Sequence, residues 1–343
     1  MDLLVTILII ELLVLLFCFA SMVFVRFSRN FWEKQTNKHR KELKEIFVRS
    51  IEKQQVLTIE EIPSRLIHYE DILSVLETFD RYFLDSIWLE TKKCIIEGFL
   101  AKKAASYTKS SNWRKRQLGL RCIALNPKHL IGNQNIVPFL NDSKFIIRIL
   151  AASVLIHAEQ KDLLLAVLKR MVQEAPMARY AYRDLLINGS YTTFQWMEEI
   201  ADEEKDSKII AACLGILSTK MRHNLLPLAI KQIRSTDLFC RLASIEIFSK
   251  TPSIASQKYL IESLSDINPQ IRSQAALGLG LIHALPSIAN LSLALQDTEW
   301  NVRLQAANAL KSMGKEGKEE LYKQSQAQNA QAFEIAKYIL SLP

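Results

Sequence analysis

The chain of 343 residues is long enough for two ordinary domains, and its net charge is +8. Nine glycines and nine prolines are few for this length, so the composition favours helices over a β-rich or a disordered chain. The five cysteines are widely spaced and include no C-x-x-C pair, which argues against a disulfide framework and a zinc site and favours buried structural thiols.

The chain begins with an apolar run from Leu3 to Val25 that only Glu11 interrupts. As a helix this run would be roughly 35 Å long, which is enough to cross a hydrocarbon core of about 30 Å. A secretory signal peptide is the competing interpretation. The start of the chain carries Asp2 and no basic residue, and the apolar run continues past the small residues of a cleavage site, so we predict an uncleaved transmembrane anchor over residues 1–25.

The charges on the two sides of this run are unequal. Only Asp2 precedes the run, whereas seven basic residues follow it closely: Arg26, Arg29, Lys34, Lys38, Arg40, Lys41 and Lys44. The positive-inside rule then predicts a single-pass protein of the inner (plasma) membrane, with its N-terminus outside and the rest of the chain in the cytoplasm. Glu11 lies inside the span, so it either contacts the membrane helix of a partner or lies near enough to the interface to reach headgroups.

Two helical regions are expected before the repeats. Residues 26–55 predict a basic juxtamembrane helix with Leu43, Ile46 and Phe47 on one face. Helical spacing resumes after that segment, and we interpret residues 56–105 as degenerate first repeats that cap an array, because terminal repeats are usually atypical.

A basic block occupies residues 102–128, which include eight lysines and arginines and no aspartate or glutamate. Such a block is a solvated or internally paired face, or it binds an acidic protein, anionic lipid or nucleic acid. Aromatic residues are interleaved with the basic ones, as nucleic-acid binding would need. The candidate contact residues are Lys109, Trp113, Arg114, Lys115 and Arg121.

The remaining residues, 106–343, contain a repeat with a period of 31 residues. One unit occurs twice, since seven of its residues each have a matching residue 31 positions later. These residues are Leu264, Asp266, Ile271, Arg272, Ala275, Ala276 and Leu279. The same step taken backwards from Arg272 reaches Arg241, Ile210, Arg179 and Arg148, and one extra residue is needed to reach Arg116. A fixed period of this length predicts a solenoid. The framework residues are Asp142, Arg148, Arg241, Asp266, Arg272, Asp297 and Arg303.

Each unit predicts a helix, a tight turn and a second helix. Asn268 followed by Pro269 is typical of a helix start, and Ile271, Ala275 and Leu279 keep one face of the second helix buried. No unit buries its apolar face alone, so each stacks on the next. The predicted fold is all-α: a right-handed α-solenoid of helix pairs with a C-terminal capping helix, preceded by one transmembrane helix.

The repeated residues resemble the short bacterial HEAT-like repeat, which is similar to the repeat of bilin lyases. The resemblance covers roughly residues 106–321; it is strong at Arg148, Arg272 and Arg303 and weak at Ile210 and Arg179. It implies a solenoid of HEAT-like helix pairs and does not imply an activity. A hydroxylase family with such repeats uses paired His-Glu dipeptides as iron ligands, but none of the six histidines here precedes a glutamate.

One repeat departs from the pattern, because Tyr182 and Arg183 stand where two alanines are expected. Other aromatic residues lie nearby, among them Trp196. These side chains form a recognition patch, since Tyr, Trp and Arg dominate interfaces, or they fill a gap left by irregular stacking.

No phosphate-binding loop, nucleophile elbow or metal-binding motif occurs in the sequence, so we predict no enzyme activity, catalytic residue, cofactor, metal or small-molecule substrate. We interpret the chain as a membrane-anchored cytoplasmic scaffold that binds a membrane-associated protein. It would be an accessory subunit of a bacterial membrane assembly such as a polysaccharide-synthesis or transport system. The alternative is a membrane-tethered binder of anionic lipid or, less favoured, of nucleic acid through residues 102–128.

Overall fold

A computed structural model of the chain describes residues 2–83, 85–126, 135–220, 225–326 and 328–342. For residues 2–14 and Asn30 it describes the backbone and not the side chains. The described residues form helices joined by short turns, and no strand occurs among them, which confirms the all-helical prediction. The chain divides into two compact units. The N-terminal unit comprises Met1–Ile136 with Asp142–Val154, and the C-terminal unit comprises Val137–Asn141 with Leu155–Pro343.

The N-terminal unit contains one very long helix and several short ones. Short 3₁₀ turns occur at Ile59–Glu61 and Ser64–Leu66, and a π turn at Ile96–Leu100 follows α3 directly. The helices are α1 (Asp2–Glu52), α2 (Tyr69–Phe79), α3 (Ser86–Ile95), α4 (Ala101–Thr108), α5 (Trp113–Leu125) and the start of α6 (Phe145–His157).

Only the C-terminal part of α1 packs into the core of this unit. Leu43 and Phe47 are fully buried, and the ring of Phe47 lies 5.7 Å from that of Phe79 in α2 and 6.0 Å from that of Trp88 in α3. This burial explains the apolar face predicted for residues 26–55. By contrast, the apolar side chains described between Leu15 and Trp32 are largely exposed.

The α1 helix runs without a break through the boundary predicted between anchor and juxtamembrane helix. Among the residues whose side chains are described, no helix is long and apolar enough to cross a membrane. The side chains of residues 2–14, which include Glu11 and about half of the predicted anchor, lie outside the described residues.

The C-terminal unit consists of helix pairs. A 3₁₀ turn, Val137–Asn141, precedes α6, and others lie at Ser218–Lys220 and Leu285–Ser287. The helices are α7 (Lys161–Gln173), α8 (Pro176–Ile187), α9 (Tyr191–Glu203), α10 (Ser207–Leu217), α11 (Leu226–Gln232), α12 (Leu238–Lys250), α13 (Ile254–Ser263), α14 (Pro269–Leu281), α15 (Ile288–Ala294), α16 (Trp300–Ser312), α17 (Gly314–Gln324) and α18 (Ala330–Ser341).

The second helices begin at regular intervals along the chain. Helices α5, α6, α8, α10, α12, α14 and α16 start at residues 113, 145, 176, 207, 238, 269 and 300, so successive starts are 31 residues apart after a first step of 32. An aspartate or asparagine side chain caps several of these helices; Asn268 Oδ1, for example, accepts from the backbone N–H of Gln270 at 2.8 Å. Such a cap satisfies a donor that the first turn of a helix leaves unpaired.

A framework arginine joins two successive inter-helix turns. Arg272 donates through Nη1 to the carbonyl oxygens of Asp266 and Ile267, at 2.9 and 3.2 Å. Through Nε and Nη2 it also donates to the carboxylate of Asp297 in the next turn, at 2.6 and 2.8 Å. Arg303 in turn donates to the carbonyl oxygen of Asp297 at 2.6 Å. Each aspartate therefore contacts the arginines of two repeats.

The same contacts occur at other repeats. In the N-terminal unit, Arg116 donates to the carboxylate of Asp142 at 2.8 and 3.2 Å, and Arg148 donates to the carbonyl oxygen of Asp142 at 2.9 Å. In the C-terminal unit, Arg241 Nε lies 3.3 Å from the Asp266 carboxylate. We call this series of arginine–aspartate contacts the ladder.

Small residues allow neighbouring second helices to pack closely. Ala275 and Ala276 of α14 are fully buried, as are Ala306 and Ala307 of α16. A Cβ atom added to Gly280 would lie 2.8 Å from the Cα of Ala309, which is too close for a real contact. The two helices thus meet almost backbone to backbone, and dispersion contacts between them are correspondingly dense.

Breaking one rung of the ladder is expected to destabilise the C-terminal unit. Arg272→Ala should cost about 2 kcal/mol, less than the roughly 3–5 kcal/mol of a fully buried pair because both side chains are slightly exposed. The unfolding midpoint in denaturant, followed by circular dichroism, measures this loss. The control is Lys315→Ala, whose exposed pair with Glu319 should contribute about 0.5 kcal/mol or less.

The pH dependence of unfolding gives a second readout for the same rung. Burial opposes ionisation of Asp297, but the hydrogen bonds from Arg272 and from the Glu299 amide outweigh it and lower the pKa of the carboxyl. The stabilisation is therefore present above the unfolded pKa of about 3.9 and is lost as the pH falls through the lower folded value. Asp297→Asn should flatten the loss of stability below about pH 4; an unchanged pH profile would contradict this role.

Truncation of a buried leucine tests the repeat register. Leu279 of α14 is fully buried, whereas Leu281 of the same helix is 60% exposed. Leu279→Ala should cost about 2–5 kcal/mol because it leaves a cavity, and Leu281→Ala should change stability by about 0.5 kcal/mol or less. Thermal unfolding of the two variants compares them directly. Equal melting temperatures would mean that this face does not form the core.

Candidate protein-binding groove

A groove of about 640 Å³ opens in the C-terminal unit across the second helices of three successive repeats. Its floor is α10, where Ala211, Ala212 and Gly215 face the open space. The wall formed by α8 presents three large side chains, and the start of α12 closes the opposite side. These wall residues are Arg179, Tyr180 and Arg183 on one side and Asp237 and Phe239 on the other.

The groove lies in the repeat that departs from the pattern. Tyr182 occupies the position of a buried alanine and is itself fully buried, with its hydroxyl 3.3 Å from Glu174 Oε1. A tyrosine there keeps the backbones further apart than an alanine does, and α8 touches α10 much less extensively than α14 touches α16. The space left between the two helices forms the groove.

Gly215 contributes a half-buried stretch of backbone to the floor. A Cβ atom added to it would meet no atom within 4 Å, so no neighbouring element requires a glycine at this position. This contrasts with Gly280, which close packing does require. The middle of the floor therefore consists of small apolar groups, and Lys208 lies at the start of the same helix.

Some charged side chains at the groove have hydrogen-bond partners in the chain, and others have no ion-pair partner among the described residues. Asp237 caps α12 by accepting from the amides of Phe239 and Cys240 at 2.8 and 3.1 Å, and its other oxygen accepts from Ser207 Oγ at 3.2 Å. Arg179 donates to the carbonyl oxygens of Glu174 and Val172 at 2.9 and 3.0 Å. Within the described part of the chain, Arg183 and Lys208 form no ion pair.

The structure separates the residues predicted around Tyr182. Arg183 lines the groove, whereas Tyr182 is fully buried, as expected of a side chain that fills a gap in the stacking. A role for Tyr182 as a contact residue stays a prediction. Trp196 is half-buried on α9 and does not line the groove. Sequence reasoning missed Lys208, Gly215 and Phe239, which belong to the next two repeats.

The candidates in the basic block also divide into two groups. Lys109, Trp113, Arg114 and Lys115 are exposed around the turn between α4 and α5. Arg121 instead pairs with Glu77 of α2, with Nε 2.8 Å from Oε1, and its role as a contact residue stays a prediction. Its side chain holds two helices of the N-terminal unit together.

The thiols are mostly inside the units. Cys122, Cys213 and Cys240 are buried, and burial raises the pKa of Cys122 to about 11 and the pKa of Cys213 further. Raised pKa values keep these groups protonated and unreactive near neutral pH. Among the described residues, no three or more His, Cys, Asp or Glu side chains are grouped to hold a metal ion.

Comparison with known proteins concerns the repeats. Residues 257–323 match the family model of HEAT repeats. This stretch contains most of α13, all of α14 to α16 and most of α17, where the alanine pairs and the ladder are regular. The groove lies outside it, because α8 and α10 carry the departures from the pattern. The chain matches no curated protein sequence.

Three solved structures illustrate the similarity of fold. Kap121p bound to RanGTP is 15% identical over 82% of this chain and 42% of that one, with a TM-score of 0.39. Kap95p bound to RanGDP is 10% identical over 79% and 46%, with a TM-score of 0.44. An engineered protein is 14% identical over 80% and 85%, with a TM-score of 0.36. This chain therefore spans less than half of the two Kap chains.

Gly215→Ala is expected to stabilise the C-terminal unit by about 0.5–1 kcal/mol. Alanine lowers the entropic cost of fixing a helix, and the added methyl group has open space around it. The matched control is Gly317→Ala in α17, where the new Cβ would lie 1.9 Å from the Leu310 carbonyl oxygen and should destabilise instead. Denaturant unfolding of both variants measures the change in the free energy of unfolding, which should be opposite in sign for the two. Destabilisation by Gly215→Ala would mean that the groove is closed.

Proposed function

We propose that the chain is a membrane-held HEAT-repeat scaffold whose C-terminal unit binds a segment of a partner protein in the groove. The groove itself is the observation that carries this proposal. The cleft of about 640 Å³ has an apolar floor, and two of the cations that line it have no ion-pair partner among the described residues. Its size and lining are those of a recognition site. Nothing in the described residues nominates a reaction, so binding is the function that these features support.

The exposed part of α1 supports the membrane half of the proposal. Leu16, Phe17, Phe19 and Phe24 are each more than half exposed, although they lie on a helix whose other end is packed in a core. Large apolar side chains all round a helix are stable in lipid and costly in water. The basic residues that follow favour an N-terminus outside the inner membrane and repeats in the cytoplasm.

An anchor of this kind would raise the concentration of the groove near membrane proteins. Holding a binding module and its target at one surface converts a bimolecular encounter into a local one. Glu11 is the residue in the anchor that would select a partner helix, because a carboxylate within a span needs a polar contact. The chain would then act as an accessory subunit of a membrane assembly, such as one for polysaccharide synthesis or transport.

A second candidate function rests on the turn between α4 and α5. Lys109, Arg114 and Lys115 are exposed there beside Trp113, and the Arg114 guanidinium lies 5.8 Å from the Trp113 ring. Cations next to an interfacial aromatic side chain suit anionic headgroups at the surface into which α1 would insert. This site would work beside the groove or in its place.

The test is purification of the tagged full-length chain from its own host in mild detergent, with co-purifying proteins identified by mass spectrometry. We expect one membrane protein in near-equal amount. Glu11→Leu should leave membrane insertion intact and reduce recovery of that protein, since the span would lose its polar contact.

The contrary results are equally specific. Recovery of the chain alone would contradict a stable scaffold. Recovery with nucleic acid or anionic lipid, weakening steeply as salt is raised, would favour the basic turn, because such binding depends on release of counterions. Unchanged recovery with Glu11→Leu would mean that Glu11 only reaches headgroups.

A further inference from the structure

We infer that the groove takes a segment of the partner protein in which a large apolar side chain stands beside a carboxylate. This inference rests on the proposed function and names the chemistry of the ligand. It follows from three properties of the groove: its apolar floor, its exposed aromatic walls and its excess of positive charge.

The floor provides the apolar part of the site. Ala211, Ala212 and Gly215 present methyl groups and bare backbone, so a side chain lying on them loses water contact without meeting a polar group that needs a partner. The volume is several times that of one side chain. It therefore fits a short segment that inserts one large residue and rests its neighbours on the rim.

Aromatic side chains stand on both walls. Tyr180 of α8 is 59% exposed and Phe239 of α12 is 67% exposed, and both line the groove. Exposed rings on opposite sides of a cleft are costly in water and add area to an apolar ligand placed between them. They favour a ligand that inserts an aromatic or long aliphatic side chain over one that inserts a small side chain.

The charged side chains of the groove favour a ligand with an acidic residue next to the inserted apolar side chain. The charged side chains that line the described groove are Arg179, Arg183, Lys208 and Asp237, which leave an excess of positive charge. The carboxylate of Asp237 already accepts hydrogen bonds from two backbone amides and a hydroxyl. Arg183 and Lys208 have no carboxylate partner among the described residues, so a ligand carboxylate would supply one.

A polyanion fits this site less well than a single acidic side chain. Nucleic acid carries a negative charge on every nucleotide and would have to place some of them over the apolar floor and beside Asp237. A peptide can alternate apolar and acidic side chains at the spacing of the floor and walls. The groove therefore points to a protein segment.

The experiment selects random linear peptides, displayed on phage, against the full-length chain held in detergent by a C-terminal tag. Selected peptides should be enriched in Asp or Glu next to Phe, Trp or Leu. The double variant Arg183→Glu with Lys208→Glu should weaken the best peptide by about tenfold or more and should select basic residues in place of acidic ones. Phe239→Ala should weaken the same peptide without changing the preferred charge.

Controls separate a groove effect from a general charge effect or a folding defect. Lys258→Glu with Lys315→Glu reverses two exposed lysines of α13 and α17 and should leave the selection unchanged. Circular dichroism melting shows whether the groove variant is folded, and Lys208→Glu alone, at an exposed position, provides a milder version.

Two results would overturn the inference. One is a change of ligand class: the selected peptides show no enrichment in acidic residues, or no peptide is selected and mass spectrometry finds a small carboxylated lipid bound to the chain. The other is an enrichment that the groove variant does not alter. If the partner found by co-purification binds the wild type and the groove variant equally, the scaffold proposal stands and this assignment of the groove fails.

Discussion

The distance between neighbouring second helices depends on the volume of two consecutive side chains. Where both are alanine, as at Ala275 and Ala276, the helices close on each other and the core is continuous. Where they are Tyr182 and Arg183, the tyrosine is buried and the arginine is left at the edge of an opening. One substitution pattern therefore turns part of a packed array into a cleft, while the ladder joins the repeats that follow from Arg241 onward.

The regular part of this fold could be read from the sequence because its chemistry is periodic. Each rung of the ladder needs an arginine and an aspartate at fixed positions, so the contacts of Arg272 and Asp297 leave a spacing that is visible without a structure. The extra residue before Arg148 corresponds to the longer step between the starts of α5 and α6. Helix packing and ion pairing that recur with one period can therefore be predicted from the sequence.

The groove could be located only in part. The tyrosine and arginine in place of alanines marked the repeat, but the lining also includes Lys208 and Phe239, which are far from Arg183 in the chain. Their exposure depends on a gap between helices, which no local pattern records. Arg121 shows the same limit, since its partner Glu77 lies 44 residues earlier on another helix.

The ladder is interrupted beside the groove, and this has a consequence for cooperativity. Ile210 stands where other repeats have arginine, and the described contacts that span the turn are weaker ones. Ser207 Oγ donates to the Asp237 carboxylate at 3.2 Å, and Cys240 Sγ donates to the Ser207 carbonyl oxygen at 3.2 Å. In a repeat protein the coupling between neighbours decides whether they unfold together. Weaker coupling here lets α8 and α10 open more readily than α14 and α16. A segment bound across α8, α10 and α12 would restore the missing coupling, so ligand binding and the folding of these repeats are thermodynamically linked.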